Sequence, residues 1–226
     1  MGAGQGTTVN RRFFKLLAKA EKADIKGGRA IVEIIKVGEK YQMSNWYKNL
    51  TGFITSAQVK EFEFEDEKKV KCILDISDNE GVCQLEFTFN FATYGLINSL
   101  LNTSFDKEVS IEAWINKTNF VGCAAKYINE KEANKWAIDL ADQPKGIKYK
   151  TPGGKEETDY SNVVAYWRKK FETEIIPKAK KENFTGTMKI RSEKSDDFVN
   201  TSINEENKPE DPTSDEYWNT LKPDNE

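Results

Sequence analysis

The residue types that most often do chemistry are either missing from this sequence or wrongly spaced for it. No histidine occurs in the 226 residues, which removes the commonest general base, the usual metal ligand and any serine or cysteine triad built on an imidazole. Cys72, Cys83 and Cys123 lack the Cys-x-x-Cys spacing of a structural zinc and sit in apolar, alternating runs, as reduced core cysteines do. Asp75, Asp78 and Glu80 stand close together in "DISDNEG" and would suit a magnesium ion, yet the string departs from an EF-hand loop. It also falls where two strands need a turn, and Asp-Asn-Glu-Gly suits a hairpin. "KTPGGKEET" brings glycines and lysines together without P-loop spacing or a preceding buried strand, and reads as a surface loop able to touch phosphate. No catalytic group, metal or cofactor is expected, and the chain reads as a binding protein rather than an enzyme.

Binding chemistry is better represented. Holding single-stranded nucleic acid without reading its sequence requires cations that follow the backbone and flat side chains on which bases stack. In "VSIEAWIN" the inward set is Val109, Ile111, Ala113 and Ile115, so Trp114 points outward, either as a stacking platform or as packing under a neighbouring helix. Lys117, Phe120, Lys126 and Tyr127 follow, and Lys69 and Lys71 open an earlier strand. "NWYKN" adds Trp46, Tyr47 and Lys48, while "KGIKYK" adds Lys145, Lys148, Tyr149 and Lys150. Rings interleaved with lysines in loops have less reason to be core. Phe87, Phe89 and Phe91 fall in phase with Cys83 and Leu85 and are assigned to the interior.

These side chains need elements to hold them. Phe13, Leu16, Leu17 and Ala20 recur at helical spacing over 11–26, which predicts a basic amphipathic helix ended by Gly27-Gly28. Residues 29–50 contain a β-rich run at Ala30–Val37 and are compatible with strand or helix. From Gly52 the period becomes two, and five alternating or apolar runs within 53–129 predict five strands. Between the third and fourth lies "FATYGLINSLLNTSF", with Leu96, Leu100 and Leu101 at helical spacing. Three strands, a helix and two strands is the order of a five-stranded OB-fold barrel, which "NKWAIDL" would extend by a sixth strand. A lysine- and glycine-rich loop over 143–161 leads to a second helix, opened by Ser161 as N-cap, with Val164, Trp167, Phe171 and Ile175 on one face. The fold class is therefore mainly β with flanking helices, divided into an N-terminal basic extension (1–50), an OB-fold domain with its C-terminal helix (51–191) and a disordered acidic tail (192–226).

Cutting the chain at Arg191 reveals its polarity. Residues 192–226 hold eleven acids against three lysines, a net charge of -8 within a whole-chain value of -3, which leaves a mildly basic body. The opening "MGAGQGTTVNRRFFKLL" has no apolar stretch of signal-peptide or membrane-span length, so no membrane partner is expected and the cytoplasm, a host's if the gene is a phage's, is the expected location. Within the tail Tyr217 and Trp218 stand side by side among Asp215, Glu216 and Leu221.

This layout resembles the single-stranded DNA-binding proteins of bacteriophages. The likeness rests on the strand order, the inter-strand helix "FATYGLINSLL", the basic loop and the acidic tail. It implies sequence-independent coating of single-stranded DNA during replication, recombination and repair, with the tail docking a polymerase, helicase or primase. Family tails end on an aromatic residue, whereas this one closes on "LKPDNE", so the docking segment is placed at Asp215–Leu221. Other readings are a strand-annealing recombination accessory and a protein-interaction or virion module that binds no nucleic acid; a homodimer is open to all of them. Because a tail of this charge competes with phosphates for cationic groups, deletion of 192–226 is expected to tighten oligonucleotide binding, most at low salt. Equal affinity with and without the tail, measured by fluorescence anisotropy, would remove that competition.

Overall fold

The computed structural model describes residues 10–18, 23, 26–64, 67–117 and 119–180. Eight strands form one sheet: β1 (Arg11–Leu16), β2 (Ile31–Val37), β3 (Lys40–Tyr47), β4 (Asn49–Phe64), β5 (Glu67–Ser77), β6 (Val82–Thr88), β7 (Val109–Ile115) and β8 (Val121–Tyr127). Their order is β3-β2-β1-β6-β5-β4-β7-β8. Among the described residues only the β1–β6 ladder of this sheet is parallel. A separate two-stranded hairpin joins β9 (Ile147–Lys150) to β10 (Glu156–Asp159), and two helices are described, α1 (Phe91–Leu101) and α2 (Ser161–Lys170).

The expected five-stranded OB barrel does not form. All five runs after Gly52 become strands and α1 lies between the third and fourth, but the third, β6, takes β1 as its second neighbour. The result is a curled half-barrel of eight strands. The basic helix predicted for 11–26 is corrected to the strand Arg11–Leu16 followed by irregular chain where residues are described; the positions 19–22, 24 and 25 lie outside the described residues. Phe14 and Leu16 enter the main core, while Phe13 and Leu17 join Val32 and Ile34 on the other side. With Phe13 half-buried on one face and Phe14, Leu16 and Leu17 buried, the apolar residues do not keep a strict period of two and can be read at helical spacing. Residues 31–47 form a hairpin about Gly38, whose φ of 63° is the left-handed conformation that a tight turn between two strands requires. These N-terminal strands share one sheet with those after residue 51, through β1 and β6.

Curling depends on the sixteen-residue β4, which pairs with β7 over Asn49–Gly52 and with β5 over Phe53–Phe64. Gly52 sits at the change of partner with φ 150°, where a side chain would run into the Ser77 carbonyl. The β5–β6 turn is the hairpin expected from its sequence, since Asp78 Oδ1 accepts the amides of Glu80 (2.7 Å) and Gly81 (2.9 Å).

Two further expectations change. "NKWAIDL" is not a strand, and the 143–161 loop contains the β9–β10 hairpin. Ser161 is the first residue of α2 rather than its cap: Asp159 accepts its amide at 2.8 Å and its hydroxyl at 2.9 Å. Val163, Trp167, Phe171, Ile175 and Ala179 are buried at intervals of four. On a pure α-helix such a stripe drifts by about 40° per step. The π-helical turn Phe171–Ile175 absorbs an extra residue and keeps the stripe on the core.

Cys72, Leu74 and Ile76 face the main core, so Lys71, Ile73 and Asp75 face the other side of the sheet, together with Gln84 and Glu86. There the Lys71 ammonium lies 3.2 Å from the Glu86 carboxylate, with side-chain exposures of 2% and 6%. Burial pushes the Glu86 carboxyl up to about 7 against the opposing pull of Lys71, Lys15 and Lys60. A raised native pKa means that the folded state holds a proton the unfolded chain has released, so its contribution is complete below the unfolded carboxylate value of ~4.3 and is lost as pH rises through the folded one. The urea midpoint is therefore expected to fall between pH 5 and pH 8, and in Glu86→Gln, whose neutral amide stands in for the protonated carboxyl, to fall less. Parallel pH profiles for the two proteins would show that Glu86 is not the titrating group.

Candidate nucleic-acid interface

Strand alternation sends Val109, Ile111 and Ala113 inward and turns Trp114 out, leaving it 44% exposed. Its cross-strand partner is Gly122. A Cβ there would lie 2.6–2.7 Å from the indole, so the glycine is what allows the ring to lie against β8. Beyond it, the Asn116 side chain accepts the Phe120 amide at 2.8 Å and Asn119 takes φ 59°, which closes the tip that carries Lys117 and the exposed Phe120.

Helix α1 runs along β8. Asn90 caps it, accepting the Ala92 amide at 2.9 Å while Thr93 Oγ1 accepts the Asn90 amide at 3.0 Å. Gly95 lets the helix approach the Cys123 carbonyl, and Ser99 Oγ accepts the Ala125 amide at 2.8 Å. The neighbouring Asn98 serves as a partner strand for the segment after β8: its Nδ2 donates to the Ile138 carbonyl (2.8 Å) and its Oδ1 accepts the Ile138 amide (2.9 Å). Asn134 ties the same segment down twice, its amide donating to Ala125 O at 2.9 Å and its Nδ2 to Thr103 Oγ1 at 2.6 Å.

That segment supplies the second wall of a groove of about 530 Å³. Trp114, Trp136, Phe91, Tyr94 and Leu140 line it with Lys145, and Trp167 contributes from below the surface. Phe91 is 66% and Trp136 45% exposed. Tyr160 meets Phe91 edge-on at 5.0 Å, and Tyr94 stacks on the buried Trp167 at 5.6 Å with planes 16° apart. Rings with open faces and few polar groups can hold a flat, unstacked base at ~1–3 kcal/mol each without reading its edge.

The β9–β10 hairpin is rooted beside this groove. Gly146 packs under Thr158 and Tyr160, and Asn162 Nδ2 donates to the Lys145 carbonyl at 2.9 Å. Lys148 pairs with Thr158 and Lys150 with Glu156, which puts both lysines on the face that continues from Gly146. Tyr149 lies on the opposite face, where its hydroxyl donates to Glu157 at 3.0 Å; that bond pushes the phenol's pKa up.

The residues singled out from the sequence therefore do not form one surface. Trp114 and Lys145 share the groove, and Lys148, Tyr149 and Lys150 stand on the adjoining hairpin. Trp46 and Tyr47 end β3, the strand at the other end of the sheet order, whereas Lys48 links β3 to β4 and its carbonyl accepts the Ala113 amide of β7 at 2.9 Å. Trp46 packs toward Val32 and Ile34, whereas Tyr47 meets Phe14 edge-on at 5.2 Å and donates to Glu33 at 3.1 Å. Lys69 lies 3.6 Å from Glu67, and Lys71 is buried against Glu86, where no phosphate can reach it. Lys126 pairs with Glu112 at 2.6 Å, and Tyr127 accepts the Ser104 amide at 2.8 Å beneath Lys107, so both serve the fold. Asp215, Glu216, Tyr217, Trp218 and Leu221 lie outside the described residues.

Sequence reasoning missed Phe91, Trp136, Leu140 and Tyr160. Phe91 continues the Phe87–Phe89 alternation on paper, but the strand ends at Thr88 and Asn90 turns the chain into a helix. The Asn-x-x-Thr capping box was the legible signal. All three cysteines are free and buried, and burial pushes their thiols up, away from reactivity.

Compared with known proteins, the chain matches no family model, no curated sequence and no solved structure. The groove's architecture can be checked directly. Asn98→Ala is expected to cost ~1–3 kcal/mol by stranding the Ile138 amide, the carbonyl keeping Gln143 Nε2 at 3.2 Å, and to speed hydrogen exchange at Ile138 well beyond the exchange in β5. An Ile138 amide as protected as in the parent would show that the segment is held by other means.

Proposed function

We propose that the chain is a non-enzymatic protein that binds single-stranded DNA without sequence preference, in replication, recombination and repair. One observation carries the reading: Trp114, Trp136 and Phe91 open onto a single groove lined also by Lys145, two residues before the β9–β10 hairpin that carries Lys148 and Lys150. Unpaired bases would stack on the rings while phosphates follow Lys145, Lys148 and Lys150, and a duplex, whose bases are already stacked and paired, would gain only the phosphate part. The likeness to phage single-stranded DNA-binding proteins keeps α1, the cationic hairpin and the acidic segment as its support, while the barrel no longer belongs to it. In this reading the tail of net charge -8 competes for the same lysines, with Tyr217 and Trp218 imitating bases, and docks replication proteins when DNA displaces it. The site of action is the cytoplasm.

Anisotropy titrations with a fluorescent oligonucleotide test the assignment. Trp114→Ala and Trp136→Ala are each expected to weaken binding about tenfold, and Lys148→Ala/Lys150→Ala to lower the salt slope by ~1.4 for two lost phosphate contacts. Parent-like affinity in a folded Trp114→Ala/Trp136→Ala protein would take the groove out of DNA binding.

A further inference from the structure

The β9–β10 hairpin is unusual for what it leaves uncovered. It forms its own two-stranded sheet, every β9 side chain is exposed, and Ile147 and Tyr149 retain 59% and 47% of their surface. No described strand pairs with the outer edge of either strand. Two strands alone are marginal in water, and native edges are ordinarily blunted by short length, charged side chains, proline, a bulge or a covering element; this hairpin has the first two, and charge keeps only like edges apart. Here the only proline, Pro152, lies in the turn, which is shaped instead by Gly154 at φ 79° and by bonds from Thr151 N to Lys155 O (2.9 Å) and Gly154 N to Thr151 O (2.8 Å).

The two edges also carry opposite charge. Lys148 and Lys150 lie on β9; Glu156, Glu157 and Asp159 lie on β10. A two-fold contact would set β9 against β9, lysine facing lysine, or β10 against β10, acid facing acid, and like charges across a strand pair destabilise it. Stacked in one direction, by contrast, β9 of one molecule meets β10 of the next antiparallel, and the pairings inside the hairpin, Lys150 with Glu156 and Tyr149 with Glu157, recur between molecules. We propose that the hairpin joins copies of this chain head to tail, β9 of one copy adding to β10 of the next. Such a contact is heterologous and does not close, so it builds rows rather than dimers. The sense of a row, successive grooves presented along one strand, rests on the proposed DNA binding; the association itself does not.

Sedimentation velocity of the full chain without nucleic acid, from micromolar to millimolar concentration at low salt, separates the two. The mass is expected to grow with concentration past the dimer and to shrink as salt is added. A chain with residues 147–159 replaced by a flexible linker should stay monomeric. Lys148→Glu/Lys150→Glu and Glu156→Lys/Glu157→Lys should each fail to associate alone, and an equimolar mixture should regain association by pairing acidic with basic edges. Monomer mass at the highest concentration, a plateau at the dimer, undiminished association without the hairpin, or a monomeric mixture would each overturn the proposal, whatever the oligonucleotide titrations show.

Discussion

A sheet that ends must satisfy the backbone groups of its last strand, and in this molecule that requirement decides where everything functional stands. β8 closes one side of the eight-stranded sheet. Its Ala125 amide is accepted by a side chain of α1, Ser99, and its Ala125 carbonyl is taken by the amide of Asn134. Buried donors and acceptors left unpaired are costly, so the helix and the segment after β8 are held to that edge. Asn98, buried within α1, extends the arrangement by offering both halves of its amide to Ile138. Trp136 and Leu140 come into position as a consequence, opposite a tryptophan that strand alternation had already turned outward.

The groove is dominated by rings, with Lys145 its lysine. The cations are next door, on a hairpin that carries lysines on one strand and carboxylates on the other. Dispersion and stacking would dominate close contact with a ligand, and the Coulombic part would be modest and sensitive to salt. The same polarity gives the hairpin a direction that a uniformly basic loop would lack.

Several features were legible in the sequence because their cause is local. Period-two alternation marked the strands after Gly52 and set Trp114 outside, and Asp-Asn-Glu-Gly announced the β5–β6 turn. Features that depend on distant partners were not. Phe13, Phe14, Leu16 and Leu17 read as a helix because the partners that make the segment a strand, β2 and β6, are set by pairing across the fold and not by local spacing. Lys71 looked like a phosphate contact and is buried against Glu86, since which lysine meets a carboxylate depends on register across two strands.

What the sequence determined alone was composition and periodicity: a chain without imidazole chemistry, a mainly β body, a helix between two groups of strands and an acidic end segment. Tertiary structure decided which strands are neighbours, because hydrogen bonding between strands is indifferent to separation along the chain and β6 can accept β1 as readily as a barrel partner. It also decided which rings remain open, because Trp46 and Tyr47 found apolar neighbours across β2 and β1, while Trp114, Trp136 and Phe91, drawn from three separate elements, meet around one groove only after the edge of β8 has been closed.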